Sequence, residues 1–167
     1  FPSSRTGRPV GVSVVGDTVK HVVLATELVD RQDAAWVVRD PLDAAEVGRL
    51  YRLFVRAGLP RTFSPERRYL VVLDSGGRIA GGLSWSQIAP DAAQLDGLVV
   101  APSLRGRGLS TALLDDLCAR LAALGVKSLL AHFAFRNLAL PGFRLDRRHG
   151  GLVRDLAAAA EVEASLS

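Results

Sequence analysis

The chain has 167 residues, with no methionine, one cysteine and three histidines. A single Cys118 excludes an intramolecular disulfide and any multi-cysteine metal site. It lies beside the apolar stripe of a helical segment, where a small buried core residue is expected. His21, His132 and His149 are scattered and show neither H-x-x-x-H nor H-E-x-x-H spacing, so no metal is expected. No apolar run reaches the roughly 18 residues that a membrane helix needs, and the start "FPSSRTGRP" has no apolar signal core. These absences give no membrane and a cytoplasmic setting as the expectation. The lack of Met even at Phe1 suggests a processed or excised part of a longer polypeptide.

Hydrophobic residues make up 49% of the chain and charged residues 23%, the balance of a folded globular protein rather than a disordered tail. Net charge is only +4, although the pI is about 10, because the basic residues are almost all Arg. No long basic run interleaved with aromatics appears, so nucleic acid is not expected as a partner.

Two β-branched runs around Gly16-Asp17 predict a hairpin, and the polar stretch "VDRQDAAW" a connector. These form an N-terminal β-hairpin appendage over residues 1–35. "WVVRD" predicts a strand, and Asp40-Pro41 a helix start, with Val47, Leu50, Tyr51 and Phe54 at helical spacing up to Gly58. "RYLVVLDSGGRIAGGLSWSQI" predicts a second hairpin, in which Ser84 and Ser86 face opposite to Trp85. "AQLDGLVVAP" predicts a strand. Leu109, Leu113, Leu117, Leu121 and Leu124 mark an amphipathic helix closed by Gly125. Strands are expected in "KSLLAHFAF", "FRLDRR" and "GLVRDL", and a helical or frayed tail over 157–167. Hairpins give antiparallel pairs, and the strand–helix–strand unit Leu95 to Phe135 gives a parallel crossover. The fold class is therefore α/β with a mixed, mostly antiparallel sheet.

Between that strand and helix lies "RGRGLS", Arg105 to Ser110. The first turn of a helix leaves N–H groups without partners. Glycines let the backbone curl around a ligand, while the helix dipole, Arg105 and Arg107 add positive potential. Together they point to an anion site, for phosphate above all. A plain strand-to-helix turn with solvated arginines is the competing reading. No Lys follows Gly108, as a Walker A loop requires, and the G-x-G-x-x-G of a Rossmann fold is absent.

The strand "LDGLVVAP", loop "SLRGRGLS" and helix "TALLDDLCARLAALG", with the downstream "GF" pair, resemble the acetyl-CoA-binding motif of the GCN5-related N-acetyltransferase (GNAT) superfamily. Arg105, Gly106, Arg107, Gly108 and Leu109 match the pattern [QR]-x-x-G-x-[GA]; Ser110 departs from it by a hydroxyl. The resemblance covers about 36–156 and implies a GNAT-like central sheet with flanking helices. It implies that the backbone of Leu98, Val99 and Val100 pairs with the pantetheine arm of acetyl-CoA, and that the amides from Arg105 through Ser110 cradle the pyrophosphate. Asn137 corresponds to an Asn that often contacts CoA.

The resemblance further implies acetyl transfer to an amine by direct attack. Asp96 is the candidate general base, the competing reading being a solvated or Arg-paired carboxylate. The Tyr that many members carry four residues before "GF" is here Leu138. His132 is the substitute candidate for the acid, against a structural role. The acceptor is a small-molecule or peptide amine. A homodimer, or a place in a larger polypeptide, completes the expected partners. The alternative function is a non-catalytic GNAT-like module that binds acyl-CoA or a protein.

Overall fold

The computed structural model describes residues 5–15, 20–58, 67–132, 142–146, 148 and 151–156. Nine strands and two α-helices occur among them: β1 (Arg5–Val15), β2 (Lys20–Val29), β3 (Ala35–Arg39), α1 (Ala44–Arg56), β4 (Arg68–Leu73), β5 (Ile79–Ala89), β6 (Ala92–Val100), α2 (Leu109–Ala123), β7 (Ser128–His132), β8 (Arg144–Asp146) and β9 (Gly151–Asp155). The chain divides into two compact units, and β5, β6 and α2 each contribute residues to both.

The first unit takes in residues 1–62, 69–83 and 98–113. Its strands follow one another in the order β1-β2-β3-β4-β5-β6. The N-terminal hairpin pairs through β2 with β3, from Thr26↔Val38 to Val29↔Ala35. Helix α1 buries Leu50 and Phe54 with Val71, Leu73 and Val99, and Leu53, Tyr69 and Ile79 border this cluster. Close approach needs the paired glycines of β5. A Cβ on Gly81 would run into the Val99 carbonyl, and one on Gly82 into the Leu70 carbonyl and Leu50.

Helix α1 starts later than the proline suggested. Its N-cap is Asp43, not Asp40, and the Asp43 carboxylate accepts from the Glu46 N–H at 2.9 Å. Glu46 decides the position. Its carboxylate accepts from the Leu42 N–H at 2.7 Å and takes Arg39 in two bonds of 2.7 and 2.9 Å, so Pro41 and Leu42 stay outside the helix.

The second unit takes in 63–68, 84–97 and 114–167. Its order is β5-β6-β7-β9-β8. Across α2, β6 and β7 pair in parallel, from Ala92↔Ser128 to Leu95↔Ala131, as the strand–helix–strand pattern predicted. Strand β9 pairs antiparallel with both β7 and β8. Leu95, Leu117, Leu121, Leu129 and Leu156 are fully enclosed, and Cys118 is buried. The end of α2 differs by one leucine from its apolar repeat: the helix stops at Ala123, and Leu124 is 70% exposed. Gly125 at φ +84 explains the stop, because its N–H bonds the Ala122 carbonyl and the Val126 N–H reaches back to Leu121.

The Glu46 carboxyl is held below its ordinary 4.5, chiefly by the Arg39 hydrogen bonds, which with the Leu42 N–H and the Arg39 and Arg49 charges outweigh burial. A depressed carboxylate stabilises the fold fully above its unfolded value, and the contribution disappears as pH falls through the lower folded value. Glu46→Gln should therefore cost about 1.5–3 kcal/mol at neutral pH, as for a charged hydrogen bond. In denaturant titrations the gap from wild type should close below pH 4.5; a gap constant with pH would contradict this.

Candidate functional site

The glycine loop ahead of α2 belongs to the first unit. After β6 the Ala101 N–H donates to the Ala80 carbonyl of β5 at 2.8 Å, and a 3₁₀ turn, Pro102–Leu104, redirects the chain. Arg105 is extended, at φ −68 and ψ 154. Gly106 and Gly108 then both take φ +83, while Arg107 between them does not have positive φ. That alternation turns the chain twice within three residues just ahead of α2, after the Arg105 N–H has donated to the Pro102 carbonyl at 3.5 Å. A Cβ on Gly106 would meet nothing within 4 Å, so the glycine serves backbone conformation rather than space.

Helical bonding begins when the Ala112 N–H donates to the Gly108 carbonyl at 3.0 Å. The N–H groups of Leu109, Ser110 and Thr111 precede that first bond and carry the positive end of the helix dipole. Leu109 is buried and anchors this end, whereas Arg105 and Gly106 are exposed and Ser110 is half-buried. Leu98, Val99 and Val100, the end of β6, are buried in the same unit. Since the Ala101 N–H faces β5, strand alternation turns the backbone groups of Val100 to the opposite edge.

Arg107 has a protein partner that the sequence did not suggest. Its Nη1 lies 3.5 Å from Oδ2 of Asp30, whose side chain is completely buried. Oδ1 of Asp30 accepts from the N–H groups of Gln32 at 2.7 Å and Ala34 at 3.0 Å, and Oδ2 accepts from the Trp36 indole at 2.8 Å. Burial alone would raise the Asp30 carboxyl; the Trp36, Ala34 and Gln32 bonds and the Arg107 charge outweigh it and hold the group below 3.8. The segment read as a polar connector thus contains a buried charge at the β2–β3 turn. The available hint was an Asp two residues before a polar backbone donor and six before a Trp.

Asp96 and His132 lie in the second unit. The Asp96 side chain is only 7% exposed. Its Oδ2 accepts from the Ser86 hydroxyl at 2.9 Å and faces Nε of Arg67 at 3.6 Å, while Oδ1 accepts from Gln94 Nε2 at 3.3 Å. Both the Arg pairing and a nearly enclosed carboxylate are therefore realised together. Ser86 points at Asp96, the neighbouring Trp85 is buried, and Arg68 lies over the Trp85 ring at 5.8 Å.

His132 is the exposed last residue of β7, opposite Gly151 of β9. Gln94 pairs with Leu130, so two residues further along each strand Asp96 and His132 project from the same face of the sheet. The β6–β7 register ends, among the described residues, at Leu95↔Ala131. Asn137 and Leu138 lie outside the described residues, as do Arg147 and His149. Among the described residues no group of His, Cys, Asp or Glu side chains could hold a metal, and no helix is long and apolar enough to cross a membrane.

Known proteins share this fold. Solved structures with the same fold include the GNAT domain of PAT from S. lividans, with a TM-score of 0.60 and 18% identity over 78% of this chain and 94% of that one. The GNAT family N-acetyltransferase YhbS from Escherichia coli, in complex with CoA, has a TM-score of 0.57 and 19% identity over 75% and 83%. Tetrahymena GCN5 has a TM-score of 0.57 and 19% identity over 67% and 87%. No curated protein matches the chain. The model of the Acetyltransferase (GNAT) family matches residues 29–143, a span that begins one residue before Asp30 and includes β6, the glycine loop and α2. The chain belongs to the GNAT acetyltransferase family.

Proposed function

We propose that this protein transfers an acyl group, acetyl in the first place, from acyl-CoA to an amine, by direct attack of the amine on the thioester. The observation that carries the reading is the pair of left-handed glycines, Gly106 and Gly108, immediately ahead of α2. They let the backbone from Gly106 through Ser110 curl closely around a pyrophosphate at the mouth of α2, whereas the Arg105 N–H already donates to the Pro102 carbonyl. CoA in the YhbS complex, and CoA with N-acetyl-glutamate in N-acetylglutamate synthase from Neisseria gonorrhoeae, are consistent with that ligand class.

Acetyl-CoA supplies the activated thioester; the chain's own residues bind it and move protons. The backbone of Leu98, Val99 and Val100 is assigned to the pantetheine arm. Of these, the Val100 N–H faces away from β5 and suits the thioester oxygen, as an oxyanion donor should. Asp96 accepts the proton of the attacking amine, and Ser86 and Gln94 orient its carboxylate. His132 returns a proton to the leaving sulfur. Asn137 is assigned to CoA, the acceptor is a small-molecule or peptide amine, and residues 36–156 form the catalytic domain after the hairpin of 1–35.

Gly108→Asp places both a side chain at φ +83 and a negative charge in the cradle. It should weaken CoA binding at least tenfold by calorimetry, about 1.4 kcal/mol; unchanged affinity rejects the cradle. Thiol release from acetyl-CoA across an amine panel then tests catalysis, and binding without turnover would identify a CoA-binding module instead.

Asp96→Asn keeps the acceptor for Ser86 but removes the base. Turnover should fall about 10²–10⁴-fold at neutral pH, with CoA affinity retained. An unchanged pH–rate profile removes Asp96 from the mechanism.

A further inference from the structure

The contact between Arg107 and Asp30 lets a residue outside the glycine loop determine the loop's geometry. Asp30 cannot shift to follow Arg107, because two backbone N–H groups and an indole fix both of its oxygens. Its turn is fixed as well: the Asp30 N–H donates to the Ala34 carbonyl, and the Asp33 N–H to the Asp30 carbonyl. Arg107 is the only residue between the two left-handed glycines. At Gly106 the loop has open space beside it and no side chain with which to pack. A buried carboxylate that loses its cation is left uncompensated, which is strongly unfavourable. The pairing therefore favours one loop conformation, and does so through the middle residue of the cradle.

We propose that Asp30 is a positioning residue for the acyl-CoA phosphate cradle: it holds Arg107, and Arg107 fixes the loop so that the backbone from Gly106 through Ser110 is set for the phosphates before ligand arrives. The inference rests on reading that loop as a phosphate cradle. Asp30 itself touches no ligand. Arg107, assigned from sequence to the phosphates, acts here as the strut of the loop, and Arg105 is the exposed cation beside it.

The test is calorimetric affinity for CoA on the full chain in wild type, Asp30→Asn, Arg107→Ala and the double variant. Each single change should weaken binding about tenfold, and the double variant should be no weaker than the weaker single, because both remove one contact. Glu46→Gln separates the cradle from general stability. It weakens the Arg39 contact at the start of α1 and touches neither Asp30 nor Arg107, so Tm should fall while CoA affinity, measured well below Tm, stays within twofold. Amide exchange at residues 105–110 of ligand-free protein should accelerate in Arg107→Ala. That measurement decides the matter if Asp30→Asn does not fold.

Additive losses in the double variant, wild-type affinity in Asp30→Asn, an affinity loss in Glu46→Gln equal to that of Arg107→Ala, or unchanged loop exchange would each overturn the proposal. A wild-type chain that does not bind CoA removes the cradle reading and this proposal with it. Wild-type binding that Gly108→Asp destroys and Asp30→Asn leaves intact removes the positioning role alone.

Discussion

Left-handed backbone at two alternate positions is the constraint on which the loop ahead of α2 depends. Gly106 and Gly108 both sit at φ +83, and Arg107 between them does not have positive φ. Residues with a Cβ rarely adopt positive φ, so the alternation needs glycine at both positions. After it the helix starts with Leu109 buried, and the Ala112 N–H donates to the Gly108 carbonyl. The shape of the loop is thus a property of the main chain. Side chains around it contribute by holding that main chain in place.

Charge burial follows a common pattern through both units. Asp30, Glu46 and Asp96 are nearly or completely enclosed, and each faces an arginine: Arg107, Arg39 and Arg67 respectively. A buried ion pair is weak evidence for stability, since desolvation offsets much of the attraction. What distinguishes these carboxylates is their further donors. Asp30 and Glu46 take backbone N–H groups, and Asp96 takes a hydroxyl and a side-chain amide. Backbone donors tie Asp30 and Glu46 to turns that cannot move without breaking local structure. Side-chain donors leave Asp96 with a softer environment, tied to rotatable groups rather than to a turn.

Local features of the fold were legible in the sequence, and non-local ones were not. The glycine loop and the glycine stop of α2 depend on residues adjacent in the chain, so spacing and residue type reveal them, and the parallel β6–β7 crossover follows from the strand–helix–strand order. The start of α1 was misplaced because Asp40-Pro41 and Asp43 are both acceptable helix openings locally. The choice came from Arg39 reaching across to Glu46. Leu124 continued the leucine spacing, but Gly125 ended the helix before that position could face the core. The partners of Arg107 and Asp96 lie 77 and 29 residues away, at Asp30 and Arg67, by subtraction of their numbers. No periodicity encodes such pairs. The same holds for the shared face of Asp96 and His132, which requires the register of two strands to be known.

The two arginines of the loop therefore do different work, although they look equivalent in "RGRG". Arg107 is neutralised by a carboxylate that is itself locked, so its charge adds little to the potential felt by a ligand. Arg105 is exposed and remains as the loop's cation toward solvent. If the loop holds CoA phosphates as proposed, the attraction comes mainly from main-chain amides and the N-terminus of α2, which are short-ranged and directional. Such a cradle selects by shape and hydrogen-bond geometry more than by net charge, which suits a chain whose formal charge of +4 is modest despite 21 basic residues.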